Sequence, residues 1–420
     1  MSNNGGGGFL LWFLTWMSSI FRNRKVKKYN RQARGVEIHK KGMSVTELLP
    51  NHSYRENLMI SGGEQSERLY VCETVLKNAH TANRSVIVLH TGNQNLENFI
   101  TSNGLGSVAN AHQKIFDVFT GLSFNEIFQV ITDTSKSKFD IKPAGRYVVQ
   151  VAHDLLLNRG RKPYFSSFAN CPYLQLSDQI FKRESSGNMS SDEADKLQSL
   201  LMTGQSEIAK IDTFFNDVKI QMDYLSTSDP QTSGAIGIVS AIRDKKILSI
   251  DLKSSSNTTL IEIIVNSLVV AMNRGYEFSL MIDDIAFGNN ELLKSLVYQK
   301  SGHNTVLVSK DLYALTGGKE DVFATVVGES NKTLLFSHSS NISCEKWSKY
   351  VGEYDKIDTT QNNNAGWSQS GRLGYASFGG QSQQLKREQK IKPEQLGRLS
   401  HGEIIVYDHT TSKLIHTVLT

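Results

Sequence analysis

The chain has 420 residues, 39% of them hydrophobic and 21% charged, with a net charge of +5 and three cysteines, Cys72, Cys171 and Cys344. That length and composition support at least one full-size core and leave room for two domains. An odd number of widely spaced cysteines excludes a disulfide framework and a CxxC metal site, and no HExxH or paired HxxxH spacing offers zinc its ligands, which points to a reducing cytoplasm for the body.

The positive charge is local. Between Arg22 and Lys41 nine Lys or Arg stand against one Glu, while residues 1–21 carry no charged side chain, so everything after Lys41 is net acidic. Cations confined to one segment do not make a surface that grips nucleic acid broadly, because phosphate binding needs Lys and Arg clustered along the path of the backbone. The basic segment comes directly after "GGGGFLLWFLTWMSSIF", residues 5–21, whose core is 13 mostly apolar residues with two tryptophans. A full span needs about 20 apolar residues, and a cleaved signal carries its cations before the apolar run rather than after it. The order here predicts an uncleaved anchor and basic juxtamembrane segment over residues 1–30, either one short span or an interfacial helix, with the body on the cytoplasmic side. A buried N-terminal helix is the other reading.

Further along, "NLMIS" (57–61), "SVIVLH" (85–90), "KILSIDL" (246–252), "FSLMIDD" (278–284), "NTVLVS" (304–309) and "KTLLFSH" (332–338) are apolar runs of strand length. Such runs suit strands covered on both faces, as in a parallel sheet. Helix-like segments separate the last four, giving the βαβ alternation of a wound α/β sheet, and "GEIIVYDH" (402–409) adds a closing strand. Residues 101–233 have helical spacing and few strand-like runs, which predicts an all-α domain inserted between the second and third strands, with Ser191 or Asp192 capping a helix. The core then comprises residues 45–100 and 234–420. Residues 360–384, rich in Gly, Asn, Gln and Ser with Arg372 as the one charge, predict a flexible loop.

"LMIDDIAFGNNELL", residues 280–293, sets Asp283 and Asp284 at the end of a buried strand, where a nucleotide-driven motor holds magnesium and the attacking water. A phosphate loop, GxxxxGK[ST], should then come after the first strand. Ile60 instead leads into "SGGEQSERLYVCETVL": Gly62 and Gly63 remain, the lysine and hydroxyl are absent, and Glu64 and Glu67 bring negative charge. No GK[ST] occurs anywhere in the chain, and no GxSxG elbow offers hydrolase chemistry. "GLGSVA", residues 104–109, fits the GxGxxA of a dinucleotide-binding oxidoreductase, but "ENFITSN" before it is a poor strand; an NAD enzyme stays an outside alternative.

These residues resemble the type IV secretion coupling proteins of the TraG/TraD kind, membrane-anchored RecA-like proteins of conjugation. "ISGGEQSERLYVCETVL" is similar to that family's double-glycine phosphate loop, shortened by about two residues. "SVIVLHTGNQNLEN" stands in the place of a DPKGE-like motif, with His90 at the aspartate position and Gly92 at the lysine position. "SLMIDDIAF" is similar to the magnesium-site strand, with Asp284 for the usual glutamate. "TVLVSKDLYAL" matches the frame of a glutamine motif with Lys310 instead, and "REQKIKPEQLGRLSHGEIIVYD", residues 387–408, is similar to the closing segment.

The resemblance implies a RecA-like, P-loop NTPase-type fold with an inserted all-α domain. It implies a place at the inner membrane, with relaxosome or substrate proteins and other secretion subunits as partners, DNA as a further partner, and a hexamer or a hetero-oligomer with a competent motor. It would give Asp283 a metal, Asp284 a catalytic role, and Gly62, Gly63 and Lys310 the nucleotide; equally, the aspartates are inherited geometry that caps the next helix. With the phosphate loop lost, no cofactor and no enzyme activity is expected, and a scaffold subunit is the reading taken. An active but divergent ATPase using ATP and Mg2+ is the alternative.

Overall fold

The computed structural model describes residues 6–50, 53–226, 234–254, 256–287, 290–298, 302–364 and 378–420. The strands are β1 (Val36–Met43), β2 (Leu58–Ser61), β3 (Ser85–His90), β4 (Gly106–Ala109), β5 (Ile247–Asp251), β6 (Phe278–Asp283), β7 (His303–Ser309), β8 (Lys332–Leu335), β9 (Glu353–Asn364), β10 (Phe378–Gln389), β11 (Glu403–Asp408) and β12 (Lys413–Leu419). The chain divides into two compact units, residues 44–333 and residues 1–43 together with 334–420.

In the first unit, β2, β7, β6, β3, β5 and β4 lie side by side in that order, and every pairing among them is parallel. β2, β3, β6 and β7 are buried from end to end, so each reads as an unbroken apolar run rather than an alternation. The register brings their C-terminal ends level: Ser61 lies beside Ser309, Asp283 beside Val308, and His90 beside both Asp283 and Asp251.

Residues 101–233 differ from the expected all-helical run. They contain β4, which extends the sheet beside β5, and the helices begin only at Phe124, so the helical segment comes after β4 and not directly after β3. Gly106 makes the pairing possible, because a Cβ there would lie 2.2 Å from the Ile247 carbonyl oxygen. The motif GLGSVA is therefore a turn at Gly104 running into a strand, the reverse of the strand-to-helix turn that a dinucleotide fingerprint requires. Among the helices, Phe119, Phe165, Phe168, Tyr173, Phe214 and Phe215 are buried against one another. The cap of helix Ser191–Thr203 is Ser190, whose hydroxyl accepts from the Glu193 N–H, one residue before the expected position.

In the second unit, one helix, Gly6–Arg34, runs through both the apolar run and the basic segment, past the expected boundary at residue 30. Among the described residues no helix is long and apolar enough to cross a membrane. β1 pairs in parallel with β12, and β12 in antiparallel with β11. β9 and β10 form a separate antiparallel ribbon, so residues 360–364 and 378–384 are paired strand rather than loop; residues 365–377 of the expected loop lie outside the described residues. Gly, Asn, Gln and Ser are poor strand formers by composition, so nothing in this stretch of sequence marks the pairing.

Candidate functional site at the carboxyl ends of the strands

Gly62 and Gly63 come directly after β2, both at positive φ, 88° and 68°, which a side chain would strain. Gly62 N–H is spent on the Ser309 carbonyl of β7 at 3.1 Å. The glycine carbonyls turn inward, toward a residue that sequence reasoning passed over. Arg68, four residues into helix Gln65–Thr81, donates from Nη1 to Gly62 O at 3.2 Å and Gly63 O at 2.7 Å, and from Nη2 to Asp284 Oδ2 at 3.1 Å. Its side chain is 7% exposed. The signal was present, since Arg68 is the one cation between Gly62 and Thr74 in a loop that had lost its lysine.

Asp284 is fixed from its other side as well. Its Oδ1 accepts from Ser309 Oγ at 2.8 Å and from the Lys310 backbone N–H at 2.9 Å, and its own backbone sits at φ 50°. Lys310 meets Asp284 through its main-chain N–H, and the residue is exposed. Asp283 is buried at the end of β6 and accepts from Asn93 Nδ2 at 2.6 Å. Burial pushes its carboxyl above the ordinary range, the Asn93 bond works against that, and the neighbouring Asp284 charge adds to it.

Asn93 also caps helix Gln94–Ser102 and donates its N–H to His90 Nδ1 at 3.1 Å. His90 Nε2 lies 3.0 Å from Ser249 Oγ and 3.5 Å from Glu97 Oε1. Burial holds the imidazole down at about 4, so it is neutral and the Glu97 contact is not an ion pair. Gly92, at the family's lysine position, donates its N–H to Asp251 Oδ1 at 2.8 Å. Glu64 and Glu67 close the helix start on itself, Glu67 Oε2 accepting from the Glu64 N–H at 2.8 Å. The structure therefore brings Gly62, Gly63, Asp283, Asp284 and the Lys310 main chain to one edge, and ties most of their polar groups to other protein groups.

The fold and this edge define a wound, RecA-like α/β protein, the class expected from the resemblance. No family model matches the sequence, and no curated protein is similar to it. Among solved structures, the bacterial conjugative coupling protein TrwBdeltaN70 in its unbound monoclinic form aligns with a TM-score of 0.53 at 13% identity, over 94% of this chain and 91% of that one. The plasmid coupling protein TrwB with the GTP analogue GDPNP gives 0.52 at 12% identity, and with ADP and Mg2+ 0.51 at 12%, each over 94% of this chain and 92% of that one. The fold is thus that of the conjugative coupling proteins.

Proposed function

We propose that this chain is a coupling-protein relative in conjugative DNA transfer or type IV secretion that works as a scaffold, recruiting substrate or relaxosome proteins, with its nucleotide site given over to structure. One observation carries the reading: the loop after β2 turns two carbonyls toward the site, and a buried guanidinium fills it. A phosphate loop does the opposite, presenting N–H donors to an anion with a lysine and a magnesium-binding hydroxyl. Here the Gly62 and Glu64 N–H groups bond to Ser309 O and Glu67 Oε2, the lysine and hydroxyl are missing, and Asp284 is paired with Arg68. These residues do not fit a nucleotide–magnesium pair. The proposal also places the helix Gly6–Arg34 at the membrane, its apolar half inserted and its basic half at the cytoplasmic surface.

Each charge-assisted contact to a triphosphate contributes about 1.5–3 kcal/mol, and about 1.4 kcal/mol is a factor of ten in affinity, so losing several leaves millimolar binding or weaker. Titration calorimetry of the protein with a non-hydrolysable ATP analogue and Mg2+ is expected to show no binding at micromolar to submillimolar concentration. Micromolar binding that vanishes in Asp283→Ala would overturn the scaffold reading and restore a motor.

A further inference from the structure

The N-terminal helix Gly6–Arg34 and the ribbon β9–β10 belong to one compact unit, and the helix packs against β9. Two contacts fix their relative direction. Arg34 donates from Nε to Lys390 O at 2.7 Å and from Nη2 to Gln395 Oε1 at 2.8 Å, at the base of the ribbon, where Gln389 pairs with Glu353. Asn30, one turn nearer the helix N-terminus, meets the backbone of Ile357 further along β9, its Nδ2 donating to Ile357 O at 2.9 Å and its Oδ1 accepting from Ile357 N–H at 2.8 Å. Toward its N-terminus the helix therefore runs with β9 toward the far end of the ribbon. Met17, Ile20, Asn23, Val26, Asn30 and Ala33 are half-buried at helical spacing, so one face of the helix stays covered as far as Met17.

From Ile357 to Asn364, where β9 ends, the strand rises about 23 Å. A helix covers that rise in about 15 residues, which sets the end of the ribbon level with Thr15. Hydrocarbon offers peptide groups no hydrogen bond, so helices and closed barrels enter it and an open-edged ribbon does not. This ribbon has two strands only, and its far half, residues 359–364 and 378–384, is Thr, Gln, Asn, Gly and Ser with one Phe. The part of the helix beside the ribbon is therefore held out of the hydrocarbon with it. What is left, residues 6–15, rises about 15 Å, half of a core ~30 Å thick. Ser2, Asn3 and Asn4, before the glycines, do not lengthen the apolar run.

We infer that this helix attaches to one leaflet and does not cross the bilayer. Residues 9–14 enter at a slant, and the residues that precede the apolar run stay on the side of the body. The partner is an anionic lipid surface, and the ribbon sets the depth. Arg22, Arg24, Lys25, Lys27, Lys28 and Arg31, all exposed and off the covered stripe, come directly after the immersed turns, within reach of the headgroups. The inference rests on the placement of this helix at the membrane proposed above.

Labelling from one side tests it on the full-length chain. Ser2→Cys and Ser199→Cys are combined with Cys171→Ser, which removes the half-buried thiol; Ser199 is exposed on helix Ser191–Thr203, and Cys72 and Cys344 are buried. The protein is reconstituted into sealed phosphatidylglycerol–phosphatidylcholine vesicles and treated with a membrane-impermeant maleimide. Whichever way a chain faces, both new thiols should lie on one side, so mass spectrometry should find two labels or none. Chains carrying one label overturn the inference. Depth is read separately, with lipids brominated in their acyl chains: a fluorophore on Leu11→Cys should be quenched and one on Ser18→Cys should not. Equal quenching at the two positions overturns the role of the ribbon as a stop. A chain that does not bind these vesicles at all overturns the membrane placement itself and the inference with it, a failure distinct from binding and crossing.

Discussion

Arg68 holds three acceptors with one planar group, and its fork geometry is what the cradle selects. Replacing it by alanine leaves the inward Gly62 and Gly63 carbonyls and one oxygen of the half-exposed Asp284 carboxylate without their donor, a loss of about 1–3 kcal/mol on the scale of an unsatisfied acceptor. Urea unfolding of Arg68→Ala should read that loss. Tens of millimolar guanidinium should recover part of it while tetramethylammonium does not, since only the former can donate to the same acceptors. Arg68→Lys should recover less than half, because a point charge cannot span the three positions; full recovery by lysine would mean that charge alone matters. His90 gives the pH dependence. Its folded value of about 4 lies below the ordinary 6.5, so it is neutral in the native state, and the unfolded chain takes up the proton first as pH falls. Stability should be lost between about pH 6.5 and 4, by up to about 3 kcal/mol, and that limb should flatten in His90→Gln. Asp283, with its carboxyl pushed up, acts in the opposite sense: its contribution is present below the ordinary carboxylate value and declines as pH rises through its raised one.

At the scale of elements, what the sequence discloses is what burial dictates. β3, β6 and β7 are apolar on both faces and stand within a residue or so of their expected bounds. β1 runs mostly exposed from Glu37 to Lys41, and its cations belong to an edge, so no apolar pattern marks it as a strand. β4 is four residues long and hidden in GLGSVA, where the glycine that looked like a cofactor turn is there for strand contact. Gly106→Ala should cost about 1–3 kcal/mol, because the new methyl meets the Ile247 main chain and the backbone must shift; unchanged urea stability would show that β4 is not held against β5. The N-terminal helix is tested by removal. Deleting residues 1–30 takes the apolar run and five of the basic residues that come after it, each cation contributing about 1 kcal/mol of attraction to anionic lipid. The shortened protein should leave the membrane fraction, and if it still sediments with membranes in high salt, attachment lies elsewhere in the chain.

For the molecule as a whole, the sequence shows which residues end the strands but not how they pair. Two aspartates after an apolar strand are visible in one dimension; an arginine aimed back at them across the sheet's end is visible only once β2, β7 and β6 are aligned. The same limit applies to the helical segment. Helical spacing over residues 101–233 suggests a separable domain, yet its helices share a core with helix Thr258–Asn273, which lies outside that span. That helix buries Leu260, Ile261, Ile263, Ile264, Val265 and Leu268. Asp217 accepts from Thr259 Oγ1 at 2.7 Å, Gln221 Oε1 accepts from the Leu260 N–H at 3.0 Å, and Asn266 donates to Thr134 Oγ1 at 3.0 Å. Residues 101–233 cut free would expose the apolar faces of helices Phe124–Ser135 and Ile208–Met222 that this helix covers, at about 25 cal/mol for each Å² returned to water. Expressed alone, residues 101–233 should be rich in helix by circular dichroism yet bind a hydrophobic dye and melt without a sharp transition, while residues 44–333 should melt cooperatively and leave the dye unbound. A sharp transition without dye binding in the shorter fragment would make the helical segment a domain in its own right.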